Sequence, residues 1–173
     1  MKRKVSVIFL ILIISIIILL LTGISGKLKR EDLMAERIKK LPEFTLPTLY
    51  NTSFSSSEIK EGPLLIVYFH PECEHCRYEV SELFRSSLPG SGIPVLLVSR
   101  AARDSVSVFL EALKYPETGE FITLIDTAFV FEDTFGNSVI PSSYLYDENL
   151  ILIDALYGEY KIETILNRLK ESE

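Results

Sequence analysis

The 173-residue chain contains only two cysteines, Cys73 and Cys76, so each has only the other as a disulfide partner within the sequence. A structural zinc site takes four ligands, and the two histidines, His70 and His75, are crowded around the same loop as the cysteines, which argues against zinc. Haem attachment requires histidine directly after the second cysteine, where Arg77 stands. A structural disulfide remains open, although closing so short a loop removes little entropy from the unfolded chain.

Basic residues are also scarce in most of the chain. Three of the 18 basic residues precede residue 27, so residues 27–173 carry 15 basic against 24 acidic residues and a net charge of −9. A surface with this balance repels polyanions. Nucleic acid and anionic membrane surfaces are therefore poor partners, and we predict no nucleic-acid partner.

The first 26 residues form one long apolar run after three basic residues. As a helix, residues 5–24 would span about 30 Å, which matches the hydrocarbon thickness of a bilayer. A cleaved signal peptide has a shorter apolar region and an Ala-x-Ala-like site, which this run lacks, although Gly23, Ser25 and Gly26 leave cleavage open. We predict an uncleaved transmembrane helix that anchors the chain through residues 1–26.

The orientation of this anchor follows from its basic residues. Lys2, Arg3 and Lys4 precede the apolar run, and basic residues favour the cytoplasmic side of a membrane. We therefore predict that residues 27–173 lie on the periplasmic or equivalent extracytoplasmic face of the cytoplasmic membrane. Disulfides persist in such a compartment.

The rest of the chain has the pattern of one α/β domain. Residues 27–41 carry one apolar helical stripe that ends at Pro42, which predicts a linker helix before a domain at residues 42–173. The predicted strands are an edge strand at 42–49 and then 64–69, 94–99, 121–126, 143–146 and 150–155, and the predicted helices are 74–87, 104–114 and 162–169. Alternating strands and helices indicate parallel βαβ units, and the last two strands indicate a hairpin. We predict a central mixed β-sheet flanked by helices.

The two cysteines stand between a predicted strand and a predicted helix, an arrangement that indicates redox chemistry. Cys73 is expected at the first helical turn, where unpaired amides and the positive end of the helix dipole favour an anion. Cys76 shares its face one turn later, which suits a resolving thiol that attacks a mixed disulfide.

Three further residues have both a functional and a structural interpretation. His75 would stabilise the Cys73 thiolate if its ring points back toward the sulfur, or it is a solvated loop histidine. Glu79 follows Cys76 by three residues and either accepts or relays its proton or is an ordinary surface acid. Pro141 stands just before a predicted strand, where a structural proline needs no function.

Four segments together resemble the TlpA/ResA/DsbE group of membrane-anchored thiol-disulfide oxidoreductases, which belong to the thioredoxin-like superfamily and are of the AhpC/TSA-redoxin type. They are the amino-terminal strand at residues 42–46, the active-site helix start at 73–79, Ile140-Pro141 in the position of a cis-proline loop, and a closing hairpin at 144–158. The resemblance covers about residues 42–169. It implies the thioredoxin-like fold for this part of the chain.

The resemblance also implies a role for each site residue. Cys73 becomes the exposed nucleophile, Cys76 the resolving thiol and Glu79 the acid that tunes it. Pro141 becomes a cis residue, and its neighbour Ile140 offers backbone groups to a substrate peptide.

The chain departs from this group at three positions. Glu72 stands where tryptophan often precedes the first cysteine, and the chain has no tryptophan. Val67 stands where cytosolic thioredoxins carry a buried aspartate, so Glu79 is the expected substitute. His75 stands where many reducing members carry proline and resembles oxidising and isomerising members, which leaves the direction of electron flow open.

The resulting interpretation is an extracytoplasmic thiol-disulfide oxidoreductase that acts on exported proteins, as a reductant, with no cofactor and no metal. The resemblance implies apocytochrome c or other exported proteins as substrates and a transmembrane electron donor or acceptor as the recycling partner. Two alternatives stay open. The first is a thiol peroxidase, which would carry threonine three residues before Cys73, where His70 stands. The second is a copper-binding module, which would need a histidine far downstream, and no histidine follows His75.

Overall fold

The computed structural model describes residues 17–19, 33–116 and 118–170. The chain divides into two compact units, Met1–Arg37 and Ile38–Glu173. In the first unit, residues 17–19 and 33–37 are helical. No helix in the described ranges combines the length and the apolar character that a bilayer crossing requires. The predicted anchor at residues 1–26 lies outside the described residues, apart from 17–19.

A five-stranded mixed sheet forms the centre of the second unit, in the order β5-β4-β3-β6-β7. β3, β4 and β5 are parallel, whereas β6 and β7 run antiparallel to their neighbours. The strands of this sheet are β3 (Leu64–Phe69), β4 (Val95–Ser99), β5 (Phe121–Ile125), β6 (Ser142–Tyr146) and β7 (Leu152–Tyr157), and a separate antiparallel pair is formed by β1 (Thr45–Pro47) and β2 (Ser53–Ser55).

β3 is the central strand because all six of its residues are apolar or aromatic and fully buried. Successive side chains of a strand point to opposite faces of the sheet. Leu65, Val67 and Phe69 therefore enter one core cluster, and the alternate residues of the strand enter a second cluster on the other face. The end of β3 is thus held rigidly, and the two cysteines follow directly after it.

Four helices cover the two faces of this sheet: α1 (Glu74–Arg85), α2 (Arg103–Ala112), α3 (Val130–Phe135) and α4 (Ile162–Lys170). α1, α2 and α4 contribute to the first cluster, for example through Val80, Phe109 and Ile165. α3 contributes Phe131 and Phe135 to the second cluster. The helix that begins at the cysteines therefore packs on the same face of the sheet as the C-terminal helix.

The segment before β1 also belongs to this unit. The amide of Leu152 in β7 donates to the carbonyl of Lys39 over 2.8 Å, and the amide of Leu41 donates to the carbonyl of Leu150 over 2.9 Å. Phe44 is buried in the second core cluster. Beyond β1, the amide of Leu49 donates to the carbonyl of Thr123 in β5 over 2.8 Å. The segment thus pairs with both outer strands of the five-stranded sheet.

The predicted mixed sheet with flanking helices is confirmed, and the bounds of the Leu64–Phe69 strand are the predicted ones. Two elements differ. The predicted edge strand pairs with β2 in a sheet of its own, and α3 falls between the predicted strands 121–126 and 143–146, where no helix was predicted.

The six-residue helix α3 lacks the usual signals at its start. Phe129, just before it, has a left-handed φ of 60°, and its side chain caps nothing. The cap comes instead from Asp126, whose carboxylate oxygens accept from the amides of Val130 (2.9 Å) and Phe131 (2.8 Å). Periodicity over six residues is too short to indicate a helix.

Candidate active site

Cys73 is the N-cap residue of α1 and is partly exposed. Its amide donates to the carbonyl of His70 over 3.0 Å, which folds the short loop after β3. Its Sγ accepts from the amide of Cys76 over 3.3 Å. A sulfur that accepts from a free amide of the first turn, at the positive end of the helix dipole, is well placed to carry negative charge. The predicted position of Cys73 at the helix start is confirmed.

Cys76 lies one turn into α1 and is fully buried in the first core cluster. Both cysteines are thiols in this structure. Burial raises the pKa of the Cys76 thiol far above its ordinary value, and the hydrogen bond with Cys73 and the negative charges of Cys73 and Glu79 raise it further. Cys76 is therefore protonated until a base takes its proton.

Glu79, three residues after Cys76 on α1, is the candidate for this base, and only 1% of its surface is exposed. Its Oε1 accepts from the hydroxyl of Ser143 on β6 over 2.8 Å, and its Oε2 accepts from the amide of Tyr160 over 3.0 Å. Burial raises the pKa of the Glu79 carboxyl, while these two hydrogen bonds lower it in part. A buried carboxyl group with a raised pKa binds a proton more readily than an exposed one, which suits a proton acceptor.

The charge of Glu79 contributes to the raised pKa of Cys76, so the two groups interact. They share one face of α1 at a spacing of three residues. Val67 on β3 pairs with Ser143 on β6 in the sheet register. Val67, which carries no acid, therefore lies beside Ser143, and the hydroxyl of Ser143 donates to Glu79 on the helix.

His75 is highly exposed, with 74% of its side chain accessible. Its Nδ1 lies 2.6 Å from Oε2 of Glu159, in the loop between β7 and α4. Nδ1 is therefore directed at Glu159. The ring does not point back toward the sulfur of Cys73, which is the orientation that would stabilise the thiolate. His75 therefore lies at the surface in contact with the Glu159 carboxylate.

The Ile140-Pro141 peptide bond is cis, as the resemblance implied. The carbonyl of Pro141 accepts from the amide of Gly158 over 2.9 Å. Ile140 is partly buried and packs against the cluster that contains Cys76 and is flanked by Cys73. The cis-proline loop and the dithiol thus share one packed neighbourhood.

An open groove of about 430 Å³ adjoins the start of α1. Pro71 and Glu72 line it on the side of the active-site loop, and Val108 and Phe109 line it on the side of α2. The guanidinium of Arg77 lies over the Phe109 ring, 5.1 Å from its centre. Among the described residues, no group of three or more His, Cys, Asp or Glu side chains is arranged to hold a metal ion.

Sequence reasoning missed three partners of the site: Ser143, Glu159 and the amide of Tyr160. The Ser142-Ser143 pair is a weak signal in the sequence, because two small polar residues begin a strand whose other three side chains are large. All five residues of this strand are buried. Glu159 and Tyr160 gave no local signal. Their partners, His75 and Glu79, lie 84 and 81 residues away in the chain.

The AhpC/TSA family profile matches residues 38–155. A search of curated proteins finds no match for this chain. Among solved structures, a secreted disulfide oxidoreductase of Mycobacterium tuberculosis, described as homologous to the DsbE of Escherichia coli, aligns with a TM-score of 0.66 at 16% identity over 79% of this chain and 98% of that one.

Two further solved structures share the fold. StoA of Bacillus subtilis aligns with a TM-score of 0.58 at 17% identity, over 73% of this chain and 95% of its own. Peroxidoxin BcpB of Mycobacterium tuberculosis aligns with a TM-score of 0.65 at 14% identity, over 78% and 96%. This chain therefore belongs to the AhpC/TSA family and has the thioredoxin-like fold of the DsbE-type thiol-disulfide oxidoreductases.

Proposed function

We propose that this protein is a membrane-anchored thiol-disulfide oxidoreductase that reduces disulfides of exported proteins outside the cytoplasm. One observation carries the proposal. A partly exposed cysteine caps the active-site helix, and a fully buried cysteine follows one turn later with a buried carboxyl group behind it. This arrangement separates a nucleophile that substrates can reach from a resolving thiol that they cannot.

The first step joins the protein to its substrate. The thiolate of Cys73 attacks one sulfur of a substrate disulfide, that disulfide breaks, and the departing substrate thiolate takes up a proton. A mixed disulfide between Cys73 and the substrate remains. The exposed sulfur and the nearby Ile140-Pro141 loop offer the substrate chain a place to lie.

The second step releases the substrate. Cys76 passes its proton to the Glu79 carboxylate and attacks Sγ of Cys73, and the second substrate sulfur leaves as a thiolate and is protonated. Two electrons have then passed to the substrate, and Cys73 and Cys76 are joined by a disulfide. A dithiol electron donor must reduce this disulfide before the next cycle, and a transmembrane protein is the class that fits the proposed location.

Replacing the resolving thiol tests the order of these steps. Cys76→Ala is expected to accumulate a mixed disulfide through Cys73 with target proteins, because nothing can release the substrate. Non-reducing gels and mass spectrometry measure it, and Cys73→Ala is the matched control that traps nothing. Trapping by Cys73→Ala alone would reverse the assignment, and turnover of peroxide faster than of disulfides would favour the peroxidase.

Replacing the buried acid tests the proton transfer. The pKa of Glu79 is raised, so the resolving step is expected to accelerate with rising pH as the carboxylate forms. Glu79→Gln removes this acceleration and slows the step about 100-fold above the pKa, the scale of general-base catalysis. Stopped-flow measurement of mixed-disulfide decay from pH 5 to 9 checks it. Glu82→Gln, an acid nearer the surface of the same helix, should keep the wild-type profile.

The reduction potential of the Cys73/Cys76 pair tests the direction of electron flow. For a reductant we expect a value near that of thioredoxin, about −270 mV, and an oxidant would lie near −120 mV. Equilibration with glutathione buffers and mass spectrometry of the two states measures it. A value at the oxidising end would contradict the proposed direction and leave the dithiol chemistry intact.

The long apolar run at residues 5–24 and the basic residues before it support the membrane location. A membrane-impermeant maleimide is expected to label the reduced protein in intact spheroplasts. Cys73→Ser should abolish the labelling, because Cys76 is fully buried. Labelling only after the membranes are broken, or release of the full chain by alkaline carbonate, would contradict the proposed location.

A further inference from the structure

The loop between β7 and α4 touches three parts of the active site through three consecutive residues. The amide of Gly158 donates to the carbonyl of Pro141, and the amide of Tyr160 donates to Glu79. Between them, the carboxylate of Glu159 pairs with His75 at the protein surface. We call Gly158–Tyr160 the bridging loop.

The backbone of the bridging loop is fixed by its first residue. Gly158 has a φ of +97°, a conformation that residues with a Cβ rarely adopt, although a Cβ at this position would meet no atom within 4 Å. The glycine is therefore required by the backbone and not by crowding. Its turn sends the Glu159 side chain to the surface and the Tyr160 amide to the interior.

The pair of His75 and Glu159 contributes little to stability, because exposed ion pairs are screened by water. Its position gives it another effect. The negative charge of Glu159 raises the pKa of Glu79, in addition to the larger effect of burial. A cationic His75 offsets that charge, and a neutral His75 leaves it unopposed.

We propose that Glu159 is a positioning residue that couples His75, beside the nucleophile, to Glu79, the proton acceptor of the resolving thiol. The coupling rests on the proposed dithiol chemistry and deepens it. His75 then acts on the second step through Glu159.

The groups that surround Glu79 keep this coupling specific. On its own helix the ionisable neighbour is Cys76, and from the bridging loop it is Glu159. β6 supplies the neutral hydroxyl of Ser143. α4 packs into the same core through apolar side chains, including Ile165.

The sign of the effect follows from the two contacts. Removing the His75 ring takes away the group that contacts the Glu159 carboxylate, so the negative charge of Glu159 is less offset. That change raises the pKa of Glu79. The pH midpoint of the resolving step should therefore move upward when His75 is replaced by alanine.

An aromatic disulfide, 5,5′-dithiobis(2-nitrobenzoate), separates the two steps in the full-length protein in detergent. The first thiolate is released when Cys73 attacks, and the second when Cys76 resolves the mixed disulfide. Because Cys73 is already bonded in the second phase, changes in its reactivity leave that phase unaffected. His75→Ala is expected to slow the second phase about two- to fivefold on the rising part of the pH profile, the scale of one exposed ion pair.

A double-mutant cycle decides whether Glu159 carries this effect. In a Glu159→Gln background, His75→Ala should leave the second phase unchanged. In a Glu163→Gln background, which removes an exposed acid from the first turn of α4, it should slow the phase as in the wild type. Equal slowing in the Glu159→Gln background, or none in the wild type, would overturn the coupling.

The same experiment distinguishes this failure from failure of the proposed function. If the wild-type protein shows no second phase, the dithiol mechanism itself is contradicted, and the coupling falls with it. If Glu79→Gln leaves the pH dependence of that phase unchanged, Glu79 is not the proton acceptor, and the coupling falls while the dithiol chemistry stands. A normal second phase with additive His75 and Glu159 effects contradicts the coupling alone.

Discussion

The burial of Glu79 is the constraint on which the site depends. A carboxylate enclosed by protein is costly unless donors satisfy it, and only two groups do so among its described contacts: the hydroxyl of Ser143 and the amide of Tyr160. They come from β6 and from the loop before α4. The cysteine-bearing helix, the sheet and the C-terminal region must therefore assemble together before Glu79 has both of its hydrogen-bond donors. Glu79 thus joins three parts of the fold through its own hydrogen bonds.

The placement of that acid also explains how the central strand stays wholly apolar. β3 carries Val67 at the position that the resemblance matches to the buried aspartate of cytosolic thioredoxins, and all six of its residues are buried. A strand without a charge can lie in the middle of the sheet at no electrostatic cost. The buried ionisable group lies instead on α1, as Glu79, three residues after Cys76. The sheet contributes only a neutral hydroxyl, from Ser143.

Features set by neighbours in sequence could be predicted, and features set by distant contacts could not. The six apolar residues of β3 and the spacing of Cys73, Cys76 and Glu79 define the strand, the helix start and the position of the acid. The orientation of His75 could not be read, because it depends on Glu159, 84 residues further along the chain. The partners of Glu79 are similarly distant, at 64 and 81 residues. Helix α3 was missed for a related reason, since its amides are capped by Asp126 rather than by an adjacent residue.

The segment from Lys39 to Leu49 contacts β7 near one of its ends and β5 near the other. These are the outermost strands of the five-stranded sheet, and an uncovered outer strand offers unpaired backbone groups as a template for other chains. One continuous stretch therefore shields part of both margins of the sheet from intermolecular pairing. Because each end is held by its own backbone hydrogen bonds, detachment of either end would expose the backbone groups of one outer strand to pairing with another chain.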